Sequence, residues 1–190
     1  MGESDFYLRF TSIQILLSLS AAQTHQLQSA VLNSSGGSNK ILDLLQDSRE
    51  IVRNEGLLLC EALIRGSADL QKMFTFQGAF ELVIQIIVEE SGPWKGAAII
   101  QDAFNLIGGL LQLNTSNQIY FRDSICFKQL AGLLALPIDE SEEADSSDSL
   151  WNRTRISNYL AGLSVLDGLL CKENVNLETS QVNKYCNVIC

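Results

Sequence analysis

One histidine, no C-x-x-C pair among five cysteines and a shortage of base against acid remove most chemistries at the outset. His25 stands in a polar stretch between Thr24 and Gln26. No local motif sets a nucleophile or an orienting acid beside it, so it reads as a surface histidine and not a base. A zinc site needs Cys and His at ligand spacing, and none is present. Cys60, Cys126, Cys171, Cys186 and Cys190 are odd in number, and Cys60 and Cys171 fall in apolar helical stretches. There a thiol behaves as a small hydrophobe, which suits a reduced, cytoplasmic protein. Thirteen basic residues face 22 acidic ones, for a net charge of −9. Such a surface repels phosphates, which argues against nucleic acid and against direct docking on an anionic leaflet.

Longer signals are missing as well. No stretch approaches the ~18 apolar residues of a membrane span. The opening Met-Gly-Glu-Ser-Asp is acidic and no long apolar run follows, so no secretory signal is expected. Position 6 is Phe6, against myristoylation at Gly2, and Asn187-Val188-Ile189-Cys190 lacks the prenylation pattern. The sequons at Asn33, Asn114 and Asn152 carry no meaning in a cytoplasmic chain. Gly108-Gly109 has no surrounding phosphate-loop pattern, and the acidic stretch 139–148 lacks the Gly and closing Glu of a calcium loop. No strand pattern of useful length occurs. The expectation is therefore a non-catalytic protein with no metal and no cofactor.

What is present is helical periodicity. Hydrophobic residues make up 46% and charged residues 18%, a globular balance. Leu8, Ile15 and Leu19 stand 7 and 4 residues apart, on one face of a helix. Val52, Leu59 and Leu63 repeat that spacing, as do Ile100, Ile107 and Leu111, and then Tyr159, Leu166 and Leu170. The copies begin at 8, 52, 100 and 159, and the first two intervals are at or just beyond the ~40–47 residues of a HEAT or armadillo unit. The spacing predicts long helices over 5–20, 49–65, 96–113 and 151–171. Phe6, Phe10, Ile13 and Leu17 are expected to widen the buried stripe of the first. Shorter helices fall at 24–33, 40–47, 68–75, 78–90, 116–122 and 125–136. Asn39 is a candidate N-cap, Gly66 a helix stop, and Ser91-Gly92-Pro93 a break.

The copies agree beyond the anchors. A shift of 43 carries Leu27-Gln28 onto Leu70-Gln71 and Val31 onto Phe74; a shift of 47 carries Gln71 onto Gln118 and Phe80 onto Phe127. Each unit reads long helix, short helix, medium helix. The fold class is therefore all-α: an armadillo-like helical repeat solenoid, a right-handed superhelix of about three to four repeats. The repeats fall at about 1–47, 48–92, 93–138 and 150–171, with an acidic loop at 139–149 and a polar tail at 172–190. Gly56, Gly108 and Gly109 lie inside long helices, where Gly costs ~1 kcal/mol against Ala. Close approach of a neighbouring helix is the expected compensation.

Partners of a solenoid bind its exposed helix faces. Arg9, Arg53, Asn54, Gln101, Asp102 and Asn105 lie off the buried stripes and are the candidate partner-binding residues. The Trp and Asn four apart of nuclear-import armadillo proteins are absent: Trp94 is followed at that spacing by Ala98, and Trp151 by Arg155.

Ile51-Val52-Arg53-Asn54-Glu55-Gly56-Leu57-Leu58-Leu59 leads through Ala68-Asp69-Leu70-Gln71-Lys72 to Phe76-Gln77-Gly78-Ala79-Phe80-Glu81. Gln101-Asp102, Leu110-Leu111, Ser116-Asn117-Gln118 and Phe121-Arg122-Asp123 follow. Together these strings resemble the armadillo-like head of the general vesicular transport factor family, coiled-coil golgins that tether vesicles between endoplasmic reticulum and Golgi. The resemblance covers about 5–135. It implies a vesicle-tethering head, cytoplasmic and peripheral on Golgi and transport-vesicle membranes. It also implies contacts with a Rab-type small GTPase and Golgi tethering or fusion machinery, and pairing with a second head. The residues by themselves leave open a generic armadillo scaffold for an unrelated peptide or signalling partner. No heptads follow residue 171, and the helix at 5–20 lacks a preceding partner. A partial head with open apolar surface at its N-terminal end, at Phe6, Phe10 and Ile13, is therefore expected.

Overall fold

The computed structural model describes residues 3–95, 97–135 and 153–170; the acidic segment 139–149 and the tail 172–190 lie outside them. The elements run α1 (Glu3–Ala22), α2 (Thr24–Asn33), α3 (Gly37–Leu42) with a 3-10 turn (Asp43–Gln46), and α4 (Glu50–Ile64). Then come α5 (Ala68–Phe76), α6 (Ala79–Glu89), a short α7 (Gly92–Lys95) and α8 (Ile99–Leu111). They close with α9 (Thr115–Asp123), α10 (Ile125–Leu134) and α11 (Arg153–Leu170). No strand occurs among the described residues.

Local chemistry sets the ends. Ser67 and Asn114 accept from the backbone N–H groups of Leu70 and Asn117 (3.4 and 3.3 Å), opening α5 and α9. Gly66, at φ +72°, closes α4 in the left-handed region, as expected of a helix stop. Asn39 does not cap: it lies inside α3, which starts earlier because Gly36 adopts φ +70° at the cap position. The break at 91–93 is a corner with Ser91 at φ +63° and Gly92 at +74°. Pro93 sits in the first turn of α7, where its missing N–H costs nothing.

The long helices α1, α4, α8 and α11 stack side by side in chain order. The medium elements back them: the 3-10 turn lies on α4, α6 on α8 and α10 on α11. The short helices α2, α5 and α9 form a third file. Val52, Leu59, Leu63, Ile100, Ile107 and Leu111 are buried, as are Tyr159 and Leu166. Two glycines admit the close approach the stack needs. A Cβ on Gly56 would come within 2.9 Å of Leu44 Cβ, and one on Gly109 within 2.9 Å of Ile64 Cδ1.

The first copy of the pattern behaves differently. Leu8, Ile15 and Leu19 are 68%, 55% and 41% exposed. On α4 the corresponding face is covered by the 3-10 turn; no medium element precedes α1 among the described residues to do the same. α1 instead turns the opposite face toward α4. Ile13 is buried, and Phe6 and Phe10 are half-buried. The open apolar surface expected at this end exists, but Tyr7, Leu8, Ile15 and Leu19 carry it.

Polar side chains tie the files together. Helix ends leave carbonyls without partners. Gln28 Nε2 on α2 donates to Leu63 O and Arg65 O at the end of α4, both at 2.9 Å. One unit on, Gln71 Nε2 on α5 donates to Gly109 O (2.8 Å) and Gln112 O (3.3 Å) at the end of α8. Gln71 Oε1 also accepts from Asn114 Nδ2 at 3.0 Å. The third copy, Gln118, turns to Leu111 O at 2.8 Å. Replacing Gln71 by Ala strands buried donors and acceptors, which costs about 1–3 kcal/mol. Urea unfolding should show that loss. Gln85→Ala, which removes only an exposed contact to Glu89, should cost less than ~0.5 kcal/mol.

Candidate functional site

The six sequence-selected residues fall into two groups. On the first side, Arg9 Nη1 meets Asp47 Oδ2 at 2.6 Å and its Nε meets Asp5 at 3.3 Å. The hydrogen bond to Asp47, then the charge of Asp5, hold the Arg9 guanidinium above its ordinary pKa. Arg53 Nη2 meets Glu90 at 2.9 Å, with Glu89 at 3.9 Å. These pairs fasten α1 to the segment before α4, and α4 to the end of α6. Both guanidinium charges are matched inside the chain. Asn54, half-buried, is the neighbour of Arg53 on α4. Hollows of about 270 and 430 Å³ flank Arg9 and Arg53 and share Asp47 and Ser48.

Gln101, Asp102 and Asn105 are on α8. Gln101 Oε1 accepts from Ser157 Oγ at 3.1 Å, joining α8 to α11. Asn105 opens onto a groove of about 420 Å³ whose walls come from α4, α8 and α11. Gly108 and Gly109 line it, with Ile64 and Val165 as apolar flanks and Glu61 at the α4 rim. A hollow of about 240 Å³ shares Gly108, Gln112, Ser164 and Val165 and continues to Gly168. Burial, then the charge of Glu61, raise the Asp102 carboxyl above its ordinary pKa. Asp102 takes part in none of the ion pairs of the described residues.

Sequence reasoning missed the groove because its lining is composed across three helices about fifty residues apart. The glycines were visible, but were read as packing devices. That holds for Gly109 and not for Gly108, whose added Cβ would find only Val165 Cγ2 at 4.0 Å. The exposed Phe76, beside Lys72 and Tyr120 on the face of the short helices, was also missed.

The two described cysteines are not poised to react. Burial pushes the Cys60 thiol up to about 12 and the Cys126 thiol up to about 11, so both stay protonated at neutral pH. Among the described residues no three His, Cys, Asp or Glu side chains gather to hold a metal. No described helix is long and apolar enough to cross a membrane.

A stack of three-helix units, with its open surface on the long-helix face, defines an armadillo-like helical-repeat protein. No protein-family model matches the chain. It is 32% identical over 184 residues to general vesicular transport factor p115 of Bos taurus, covering 97% of this chain and 18% of p115. The intracellular protein transport protein USO1 of Saccharomyces cerevisiae is 32% identical over 162 residues, 85% of this chain and 9% of USO1. The Uso1-2 crystal structure superposes with a TM-score of 0.82 at 31% identity, over 97% of this chain and 26% of that one. The chain is a homologue of the p115/Uso1 vesicular transport factors, and spans under a fifth of p115's length. The likeness extends beyond 5–135 to nearly the whole chain. These relatives are named as transport factors and not as enzymes.

Three substitutions test the electrostatics and packing of α8. The folded chain disfavours ionised Asp102, so the penalty is full above the raised pKa and gone below the ordinary carboxylate range. Asp102→Asn should therefore stabilise at pH 7, by about 0.5 kcal/mol for a screened group, and the gain should vanish on acidification in urea titrations. Gly108→Ala should stabilise by about 0.5–1 kcal/mol through helix propensity. Gly109→Ala should gain less or lose stability, because Ile64 must move.

Proposed function

We propose that this chain serves as a non-catalytic tethering module in transport between endoplasmic reticulum and Golgi, acting through protein–protein contacts. The observation that carries the reading is homology to p115 over 97% of the chain, joined to a shared helical stack at a TM-score of 0.82. The repeats at about 1–47, 48–92, 93–138 and 150–171 make one head-like body. Its partners are a Rab-type small GTPase and Golgi tethering or fusion machinery, with a second head as a further contact. It sits in the cytoplasm, peripheral on Golgi and vesicle membranes. The net charge of −9 makes recruitment through a protein more favourable than adsorption to anionic lipid.

The test is co-sedimentation of the purified chain with Golgi-enriched membranes carrying Rab GTPases loaded with a GTP analogue or with GDP. Recruitment at least several-fold higher in the GTP-analogue state is expected, and high salt should not abolish it. Equal sedimentation in both states, or sedimentation with protein-free anionic vesicles alone, would overturn this reading.

A further inference from the structure

The last residue of α5 is an aromatic that the core cannot use. Leu70 and Phe74 on the same helix are sealed from water. Phe76 lies two residues past Phe74, about 200° further round the helix, and is 92% exposed. A lone apolar residue on a surface is ordinary. Phe76 is not alone: with Lys72, Thr75, Ser116, Asn117 and Tyr120 it lines a hollow of about 460 Å³ between the short helices α5 and α9. The α9 wall is held in place. The Tyr120 ring stacks on Phe80 with centroids 6.3 Å apart, and its hydroxyl donates to Glu81 at 3.0 Å.

We propose that this hollow is a docking site for a partner segment that presents an apolar side chain beside an Asp or Glu. Three observations select that occupant. First, the Phe76 and Tyr120 rings give an apolar seat that the chain itself leaves open to water. Covering it is favourable, and the fixed Tyr120 ring loses little freedom when that happens.

Second, Lys72 is the one charged side chain among the described residues of the lining. It takes part in none of the ion pairs of the described residues. A basic segment would meet like charge there. A wholly apolar one would strip water from the ammonium and supply no counter-charge. A carboxylate matches it. Third, Thr75 is 5% exposed and its Oγ1 has no hydrogen-bond partner among the described residues. A buried hydroxyl left so is a cost. Thr on a helix has two rotamers, through which that hydroxyl can turn to an oxygen of the ligand. The net charge of −9 repels an acidic segment at a distance, so the recognition is local. The inference rests on reading the chain as a contact module, and gives that module a surface and a partner chemistry.

The experiment pans the purified chain against a displayed library of random 12-residue peptides, then measures the enriched peptides by fluorescence anisotropy. Enrichment of Asp or Glu adjacent to Leu, Ile, Phe or Trp is expected. Phe76→Ala should weaken those peptides at least tenfold, with the helical circular dichroism and melting transition kept. Lys72→Met should weaken them three- to tenfold, and changing the peptide's Asp or Glu to Asn or Gln should then cost nothing more. Thr75→Val should weaken them two- to threefold without lowering the melting transition, which a hydroxyl needed for folding would do. No enrichment above background, enrichment of basic or uncharged peptides, or unchanged binding to Phe76→Ala would overturn the inference. So would self-association in analytical ultracentrifugation, or sedimentation with protein-free anionic vesicles, that Phe76→Ala abolishes; a second copy or a lipid surface would then be the occupant. If Phe76→Ala misfolds, the cycle between Lys72→Met and the neutral peptide decides the same point. Nucleotide-dependent membrane recruitment of the unaltered chain separates the two readings. Recruitment kept while peptides never bind removes the hollow and leaves the tethering role standing. Peptides bound as expected while recruitment ignores the nucleotide does the reverse.

Discussion

The lateral contact between consecutive long helices sustains the rest of the molecule. Each of α4 and α8 is covered on two sides, by neighbouring long helices and by the medium element of the preceding unit. Their anchors are accordingly sealed from water, and burial of such side chains contributes roughly 1.5–3 kcal/mol each. The approach is limited by side-chain bulk, which is why Gly56 and Gly109 stand where Leu44 and Ile64 press in. Bringing helices so close also buries their ends. Gln28 and Gln71 meet that demand by donating to carbonyls at the ends of α4 and α8. Without those donors the apolar contact would bury unsatisfied polar groups.

A stack built this way separates stability from recognition. The short and medium helices are committed to backing the long ones, so the open edge of the long helices is free to meet partners. Not every polar group on that edge is available. Arg9 and Arg53 are matched by Asp47 and by Glu89 and Glu90, and act as fasteners between elements. Asn105 has a different setting, beside a hollow that the packing does not require. The kinship with p115 and Uso1, which are named as transport factors, fits such a division of labour.

Much of the secondary structure was legible from periodicity and punctuation. The helix expected at 24–33 matches α2 residue for residue, and Gly66 closes α4 as read. Failures came where one local cue had a competitor. Asn39 was a good cap by type, but Gly36 reached the left-handed region first and the helix began there. Leu8, Ile15 and Leu19 share the spacing of buried anchors and yet are exposed, while Ile13, expected to widen their stripe, is covered. Spacing defines a face; it does not say what lies opposite. α1 is apolar on two faces, so the pattern alone was ambiguous about which one would find a neighbour.

Sequence by itself determined that the chain is helical and that its helices come in repeating long, short and medium lengths. Those properties depend on residues near one another along the chain, through hydrogen bonds and side-chain spacing of a few residues. Only the tertiary structure decided which apolar face of α1 is covered, which charges are matched, and that Gly108 opens a groove while Gly109 closes a contact. Each of those depends on atoms from helices some forty to sixty residues apart, and no local pattern encodes the distance between them.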